Sequence, residues 1–191
     1  MTINEILEVE DSYQAPQRMM DILSDKEKRL KIYKAFLEKF DYDLSYDWFH
    51  DYFQEEHAER KSKKQDFTPN CISDTLSALL DNDKPLEGTI YEPSAGTGGV
   101  LIRKWWNDRK RQSFLTYSPN RFRFICFELS PRAIPFLIFN LSIRGVNAGI
   151  IHGNTLTNEE FERFYTVNTK NDYLGFSNIY IGNNIDKSLK E

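Results

Sequence analysis

The sequence predicts an α/β fold: a mostly parallel, doubly wound sheet of about four strands, with a helical segment before it. The first observation is that short β-rich runs alternate with helical patterns over the second two-thirds of the chain. The second is the run at residues 89–101, TIYEPSAGTGGVL, where a strand ends in an acid, a small-residue loop follows and an apolar helix begins. Ligands bind such sheets outside the carboxyl ends of the strands, so this loop is the predicted site.

Composition limits the size and location of the protein. A chain of 191 residues with 14 Phe, 10 Tyr and 3 Trp can bury a sizeable core as one domain with an appendage. No apolar run reaches membrane-spanning length and the N-terminus has no signal pattern, which predicts a cytoplasmic protein without membrane contact. Cys71 and Cys126 lie among apolar residues without metal-ligand spacing, which predicts buried thiols in a reducing compartment and no metal site.

The net charge of −4 is unevenly distributed. Residues 1–66 hold 16 acids and 11 bases, and residues 67–191 hold 13 acids and 14 bases. Neither part has the strongly basic balance of a protein that grips duplex DNA by itself. The sequence therefore predicts contact with DNA only through a complex.

Residues 1–64 are predicted to form a helical N-terminal segment, and residues 65–191 the sheet domain. Ser24 is the predicted N-cap of an amphipathic helix over residues 25–39, because a glutamate three residues later completes a capping box. A second helix is predicted to begin at Ser45. Its aromatic stripe is interpreted as packing surface in preference to a ligand cage, and consists of Trp48, Phe49, Tyr52 and Phe53.

Two helices are predicted around the glycine loop. Residues 65–80 read as a well-capped helix, with Thr68 as N-cap and Pro69 at the first helical position. The helix after the loop is predicted to end at about residue 106. The polar residues 107–120 are predicted to be a loop with a candidate basic surface made of Arg109, Lys110 and Arg111.

Three more strands are predicted downstream. Residues 121–128, RFRFICFE, alternate and then become continuously apolar, which is typical of a buried strand, and they end in a second acid, Glu128. An apolar helix follows, and Gly145 is placed to stop it. The remaining predictions are a short strand, a polar helix and a fourth strand, at residues 148–152, 158–165 and 176–181.

The polar features after the first three strands would share one edge of the sheet. Gly96 and Gly98 let the backbone turn sharply and approach a ligand, while Glu92 adds a fixed negative charge. Glu128 is suited to the vicinal hydroxyls of a ribose, and Asn154 to the edge of an adenine. Together they favour a nucleotide-like ligand over an ordinary strand–turn–helix corner.

Four motifs carry a specific resemblance. EPSAGTGG (92–99) resembles the S-adenosyl-L-methionine (AdoMet) signature of adenine-N6 DNA methyltransferases, and most closely that of modification subunits of type I restriction systems. DFTP (66–69), residues 127–146 and HGNTL (152–156) are similar to the flanking motifs, in the same order. The resemblance implies a Rossmann-like class I methyltransferase sheet. A Rossmann dehydrogenase fits less well, because the loop is GTGG and not GxGxxG.

The resemblance implies cofactor-binding roles for nine residues: Thr68, Pro69, Glu92, Pro93, Ser94, Gly96, Gly98, Glu128 and Asn154. Thr68 and Pro69, with Gly96, would cradle the methionine part of AdoMet, and Glu92 would hold its amino group. Glu128 would bind the ribose and Asn154 the adenine.

The chain departs from the family pattern after its fourth predicted strand. Family members carry an Asn-Pro-Pro-aromatic signature there, which accepts hydrogen bonds from the adenine amino group and stacks on the flipped base. Residues 182–185 read Gly-Asn-Asn-Ile, so Asn183 is the one candidate catalytic residue, without the proline or the ring.

Four predicted strands are fewer than the seven or so of such a methyltransferase. The fourth would become an edge with unpaired backbone groups, which predicts a second copy of the chain or a partner subunit that covers it.

Three hypotheses remain at this stage. In the first, the chain binds AdoMet and methylates DNA adenine once further chain or a partner completes it. In the second, it is an inactive pseudo-methyltransferase that acts by binding, in restriction–modification or phage defence. In the third, it is a fragment of another AdoMet- or nucleotide-binding protein, such as an RNA or protein methyltransferase.

Overall fold

The computed structural model describes residues 1–53 and 87–182, together with residues 72 and 75. It contains helices α1 to α5 at Ile3–Leu7, Ala15–Ser24, Lys26–Lys39, Gly99–Lys110 and Ile134–Ile143. Strands β1 to β5 lie at Gly88–Glu92, Phe122–Glu128, Ala148–Asn154, Glu159–Val167 and Asn178–Ile181. None of the described helices is long and apolar enough to cross a membrane.

The five strands form one mixed sheet in the order β1-β2-β3-β4-β5. β1, β2 and β3 are parallel neighbours, and their register places Glu92 opposite Cys126 and Glu128 opposite His152. β4 is antiparallel to β3 and β5 is antiparallel to β4. The predicted α/β class and partial Rossmann-like sheet are confirmed, but the sheet is not parallel throughout.

The prediction of a polar helix at residues 158–165 is wrong, because these residues belong to β4. Asn158 adopts the left-handed conformation (φ 55°), which an asparagine tolerates in a turn, and closes a hairpin with β3. Phe164 and Thr166 then alternate inward as neighbours of Ile150 and Ala148. Aromatic and β-branched residues are more favourable in a strand, where they pack against neighbouring strands, than in a helix.

One face of the sheet is covered by the described residues and the other is open. Along β2, Phe124 and Cys126 are buried, whereas Arg123 is exposed and Phe127 is half-exposed. On β1, Tyr91 leaves 54% of its surface exposed on the same side as Phe127. The described helices therefore cover one face of the sheet, and the helix predicted over residues 65–80 lies outside the described residues apart from residues 72 and 75.

The N-terminal helices begin at positions that differ from the predictions. The N-cap of α3 is Asp25, whose Oδ1 accepts hydrogen bonds from the amides of Glu27 and Lys28. Ser24 instead ends α2, because its hydroxyl donates to the carbonyl of Asp21. The second predicted helix begins at residue 50 and not at Ser45. Asp43 and Asp47 hold the preceding residues in Asx turns, which delay the helix.

Aromatic side chains join the N-terminal segment to α5. Phe36 lies 4.8 Å from Phe139 between ring centroids, and Phe49 lies 4.7 Å from Phe136. The described aromatic stripe is thus packing surface, as predicted. The buried apolar side chains of both parts form one cluster, while the predicted domain boundary at residue 64 lies outside the described residues.

The prediction that Arg109 belongs to an exposed basic surface is wrong. α4 continues to Lys110, beyond the predicted end at residue 106, and buries Arg109 between the rings of Trp105 and Tyr173. A guanidinium stacks well on aromatic faces, so this arginine fastens α4 to the loop before β5.

Candidate functional site

The glycine loop connects the end of β1 to the start of α4. Gly96 (φ 55°) and Gly98 (φ 101°) take positive φ angles that favour glycine, and the amide of Gly98 donates to the carbonyl of Ala95 over 2.8 Å. A Cβ on Gly98 would stand 3.0 Å from Leu137 Cδ1. Sequence and packing therefore agree that this corner needs glycine.

Glu128, at the end of β2, fastens the loop to the sheet. Its side chain is buried, and its Oε2 accepts a hydrogen bond of 2.7 Å from the amide of Gly96. Its Oε1 accepts one of 2.7 Å from the amide of Ser130. A carboxylate has room for about four such bonds, so each oxygen keeps a lone pair for a further donor. The amide of Ala95 adds a bond to the carbonyl of Phe127.

Glu92, at the end of β1, is half-buried, and its carboxylate accepts one long hydrogen bond. Its Oε1 accepts a 3.3 Å hydrogen bond from the amide of Ser94. Burial raises the pKa of this carboxyl above its ordinary value, and the Ser94 amide opposes that rise. Within the described residues, neither Glu92 nor Glu128 forms an ion pair. The loop is thus bordered by two acids that lack a neutralising base in the described part of the chain.

Asn154 ends β3 on the same edge of the sheet. Its Oδ1 accepts a 3.0 Å hydrogen bond from the amide of Leu156. The hydroxyl of the next residue, Thr155, donates to the carbonyl of Pro93 over 2.6 Å, which joins the end of β3 directly to the loop.

The structure therefore brings seven of the nine predicted cofactor residues to one sheet edge: Glu92, Pro93, Ser94, Gly96, Gly98, Glu128 and Asn154. Thr68, Pro69 and the candidate catalytic residue Asn183 lie outside the described residues.

Cys126 offers no reactive thiol beside the loop. It is fully buried on β2, as predicted, in register with Glu92, whereas Cys71 lies outside the described residues. Burial raises the pKa of this thiol, and the nearby Glu92 charge raises it further, so the thiol stays protonated. The described residues also contain no cluster of His, Cys, Asp and Glu that could hold a metal ion.

Sequence reasoning missed a buried polar cluster beneath the loop. The Thr97 hydroxyl donates to Asp47 Oδ2, and Asn140 Nδ2 donates to Asp47 Oδ1 and to the Thr97 carbonyl, each over 2.8 Å. Arg144 donates to Asn140 Oδ1 over 2.8 Å. The available signal is polar residues at positions with apolar neighbours, because Asp47, Thr97 and Asn140 are 43 to 93 residues apart in sequence.

The strand before Asn183 ends far from the glycine loop. β5 runs in the same direction as β1, because two antiparallel steps separate it from β3. It is four strand positions from β1, which corresponds to about 19 Å at the usual strand spacing. Among the described strands, β5 is also at one end of the sheet, where the sequence predicts an edge.

One comparison with known proteins gave a match. The family model described as N-6 DNA methylase matches residues 43–186, which is more than half of the chain and includes the loop, Glu128, Asn154 and β5. Neither the search of curated proteins nor the search of solved structures gave a match.

Proposed function

Because the chain belongs to the N-6 DNA methylase family, we propose that its glycine-loop edge binds AdoMet for methyl transfer to the N6 amino group of adenine in DNA. One observation carries the proposal: Glu92 and Glu128 border the glycine loop, and neither is paired with a base in the described part of the chain. AdoMet carries a positively charged ammonium group, a positively charged sulfonium group and a ribose. The charged groups are attracted to carboxylates, and the ribose hydroxyls donate hydrogen bonds to them. A polyphosphate would be repelled by the same acids.

The polar residues at the strand ends have distinct chemical roles in this proposal. Glu92 accepts hydrogen bonds from the ammonium group, and the remaining lone pairs of Glu128 accept from the ribose hydroxyls. Asn154, at the end of β3, pairs with the adenine edge in this proposal. Thr68 and Pro69, by resemblance, complete the methionine side with Gly96. When bound, AdoMet supplies an electrophilic methyl group.

Methyl transfer requires more than this edge. The nucleophile, which is the N6 amino group of the adenine, must lie within about 3–3.5 Å of the methyl carbon. β5, the strand that precedes the candidate catalytic residue Asn183, lies about four strand spacings from β1. We therefore propose that a partner subunit or further chain brings the target adenine to the loop. The net charge of −4 supports contact with DNA through such a complex.

A second candidate function is binding without catalysis. Residues 182–185, Gly-Asn-Asn-Ile, lack the Pro-Pro-aromatic part of the catalytic signature. The strand that precedes them, β5, lies at the opposite end of the described sheet from β1. An inactive relative with this site would act as a binding or regulatory protein in restriction–modification or phage defence.

Calorimetric titration of the purified chain with AdoMet tests the proposal. We expect micromolar affinity, and an affinity about tenfold lower for Glu92→Gln, because a hydrogen bond to a charged partner contributes about 1.5–3 kcal/mol. A folded wild-type chain that releases no heat contradicts AdoMet binding.

Transfer of a labelled methyl group to unmethylated DNA then separates the two candidates. The chain is assayed alone and after purification with its bound partners. Label in N6-methyladenine supports the enzyme, and an AdoMet-binding complex without transfer supports the binding protein.

A further inference from the structure

The buried polar cluster below the glycine loop connects three separate parts of the chain. Asp47 belongs to the N-terminal segment, Thr97 is the central residue of the loop, and Asn140 lies on α5. All three side chains are almost fully buried. Asp47 accepts from both others and also from the amide of Phe49 over 3.0 Å, so its carboxylate is fixed by three donors.

Arg144 anchors this cluster from the far side. It donates to the carbonyl and to the Oδ1 of Asn140, and to the carbonyls of Leu44 and Tyr46 over 2.9 Å and 2.6 Å. Its guanidinium also lies over the ring of Trp48, 4.8 Å from the centroid. The residues around Asp47 are thereby bound by Arg144 on one side and by Thr97 and Asn140 on the other.

The hydroxyl and the carbonyl of Thr97 are both engaged in hydrogen bonds of the cluster. The two flanking residues, Gly96 and Gly98, lack Cβ atoms and have positive φ angles, so their own side chains cannot fix the loop. Glu128 and Thr155 attach the loop to the sheet, whereas Thr97 attaches it to the N-terminal segment and to α5.

We infer that the Asp47–Thr97–Asn140 cluster is a positioning device that holds the glycine loop in its AdoMet-binding conformation. This rests on the proposed function, and it adds the N-terminal segment to the cofactor site. Without the Thr97 hydroxyl, the loop has to be ordered when the ligand binds, which lowers affinity. The cluster acts on the loop backbone and does not touch the ligand.

Thr97→Val is the decisive variant, because it keeps the shape and removes the donor. Thr97→Ser retains the hydroxyl and serves as rescue. Tyr33→Phe is the matched control: it deletes the buried hydrogen bond to Ser142 on the same helix α5, away from the loop. AdoMet affinity is measured by calorimetry, well below the unfolding temperature of each variant. Hydrogen exchange of residues 95–98 is followed in the free chains.

We expect Thr97→Val to weaken AdoMet binding about tenfold and to speed exchange of the loop amides. Thr97→Ser and Tyr33→Phe should stay within about twofold of wild type in both measurements. Equal affinity and equal loop exchange in Thr97→Val and Tyr33→Phe would overturn the inference.

The free-chain exchange rates distinguish this failure from failure of the proposed function. A folded wild type that does not bind AdoMet overturns the proposed function and the cofactor part of the inference. Faster loop exchange in Thr97→Val would still support the positioning of the loop by Asp47.

Discussion

Glu92 and Glu128 border the same loop, but their surroundings differ at the level of single atoms. Both oxygens of Glu128 already accept backbone amides, from Gly96 and Ser130. A change at Glu128 therefore moves the loop as well as removing a ligand contact. Glu92 has one long hydrogen bond, to Ser94, and its substitution leaves the loop attached to the sheet. Glu92 is thus the cleaner probe of the site.

The raised pKa of Glu92 predicts a pH dependence of AdoMet binding. Only the ionised carboxylate attracts the ammonium group, so affinity should fall as the pH drops through the pKa of the free chain's Glu92. Because burial raises this pKa, the fall should begin at a higher pH than for an ordinary glutamate at about 4.3. Calorimetry at a series of pH values from neutral downward measures it, with AdoMet binding linked to proton release wherever Glu92 of the free chain is protonated.

Glu92→Gln supplies the control for this pH profile. We expect weaker binding that no longer changes over the same interval. The raised pKa also means that the folded chain binds the proton more tightly than the unfolded chain, so ionised Glu92 lowers stability above that pKa. The variant should therefore be no less stable at pH 7. A parallel decline in both proteins would assign the pH effect to another group.

At the scale of elements, two adjacent glycines of the loop, Gly98 and Gly99, differ in whether they can be replaced by a residue with a Cβ atom. Gly98→Ala should lower the free energy of unfolding by about 1–2 kcal/mol, because its φ of 101° is strained for an L-residue and its Cβ would press on Leu137. Gly99 is the first residue of α4, and its Cβ would meet Asp47 at an ordinary 3.9 Å.

Gly99→Ala is therefore the matched control. We expect it to raise stability by about 0.4–1 kcal/mol, because alanine loses less entropy on folding than glycine. Urea unfolding of both variants measures the difference. Equal destabilisation at the two positions would mean that the loop backbone differs from the one described.

The elements that the sequence predicts well are those with local signals. β2 and α5 follow from apolar runs, and the loop follows from Gly96 and Gly98 between a strand and a helix. The sequence predicts a helix where the structure has β4, because the pairing of β4 with β3 depends on tertiary contacts and on the hairpin turn at Asn158. Local propensity is a weak guide where such pairing decides.

The buried cluster is the part of the site that sequence could not reveal. Asp47, Thr97 and Asn140 are each ordinary polar residues in their own surroundings, and only the packing of the N-terminal segment on α5 brings them together. The acids at the strand ends were found because parallel strands place their carboxyl ends on one edge. Long-range side-chain contacts have no such rule.

At the scale of the whole molecule, the described residues leave side chains exposed on one face of the sheet and leave the outer edges of β1 and β5 unpaired. Tyr91 and Tyr180 leave 54% and 37% of their surfaces exposed, on strands at opposite ends of the sheet. Open faces of this kind and edge strands are where sheets acquire partners. The methyltransferase family supplies the expectation that this chain is completed by something else, which we propose to be a second copy or a partner subunit.

The β5 edge gives the test of self-association. Ile181 is 51% exposed on this edge, and Ile181→Lys places a charge where a second strand would pair. Leu174→Lys, at a residue 76% exposed in the loop before β5, is the control. In sedimentation velocity at tens of micromolar, we expect wild type and Leu174→Lys to form dimers and Ile181→Lys to be monomeric. A wild type that stays monomeric leaves the partner subunit as the proposed cover, whereas a dimer unaffected by Ile181→Lys directs the search to the open face beside Tyr91.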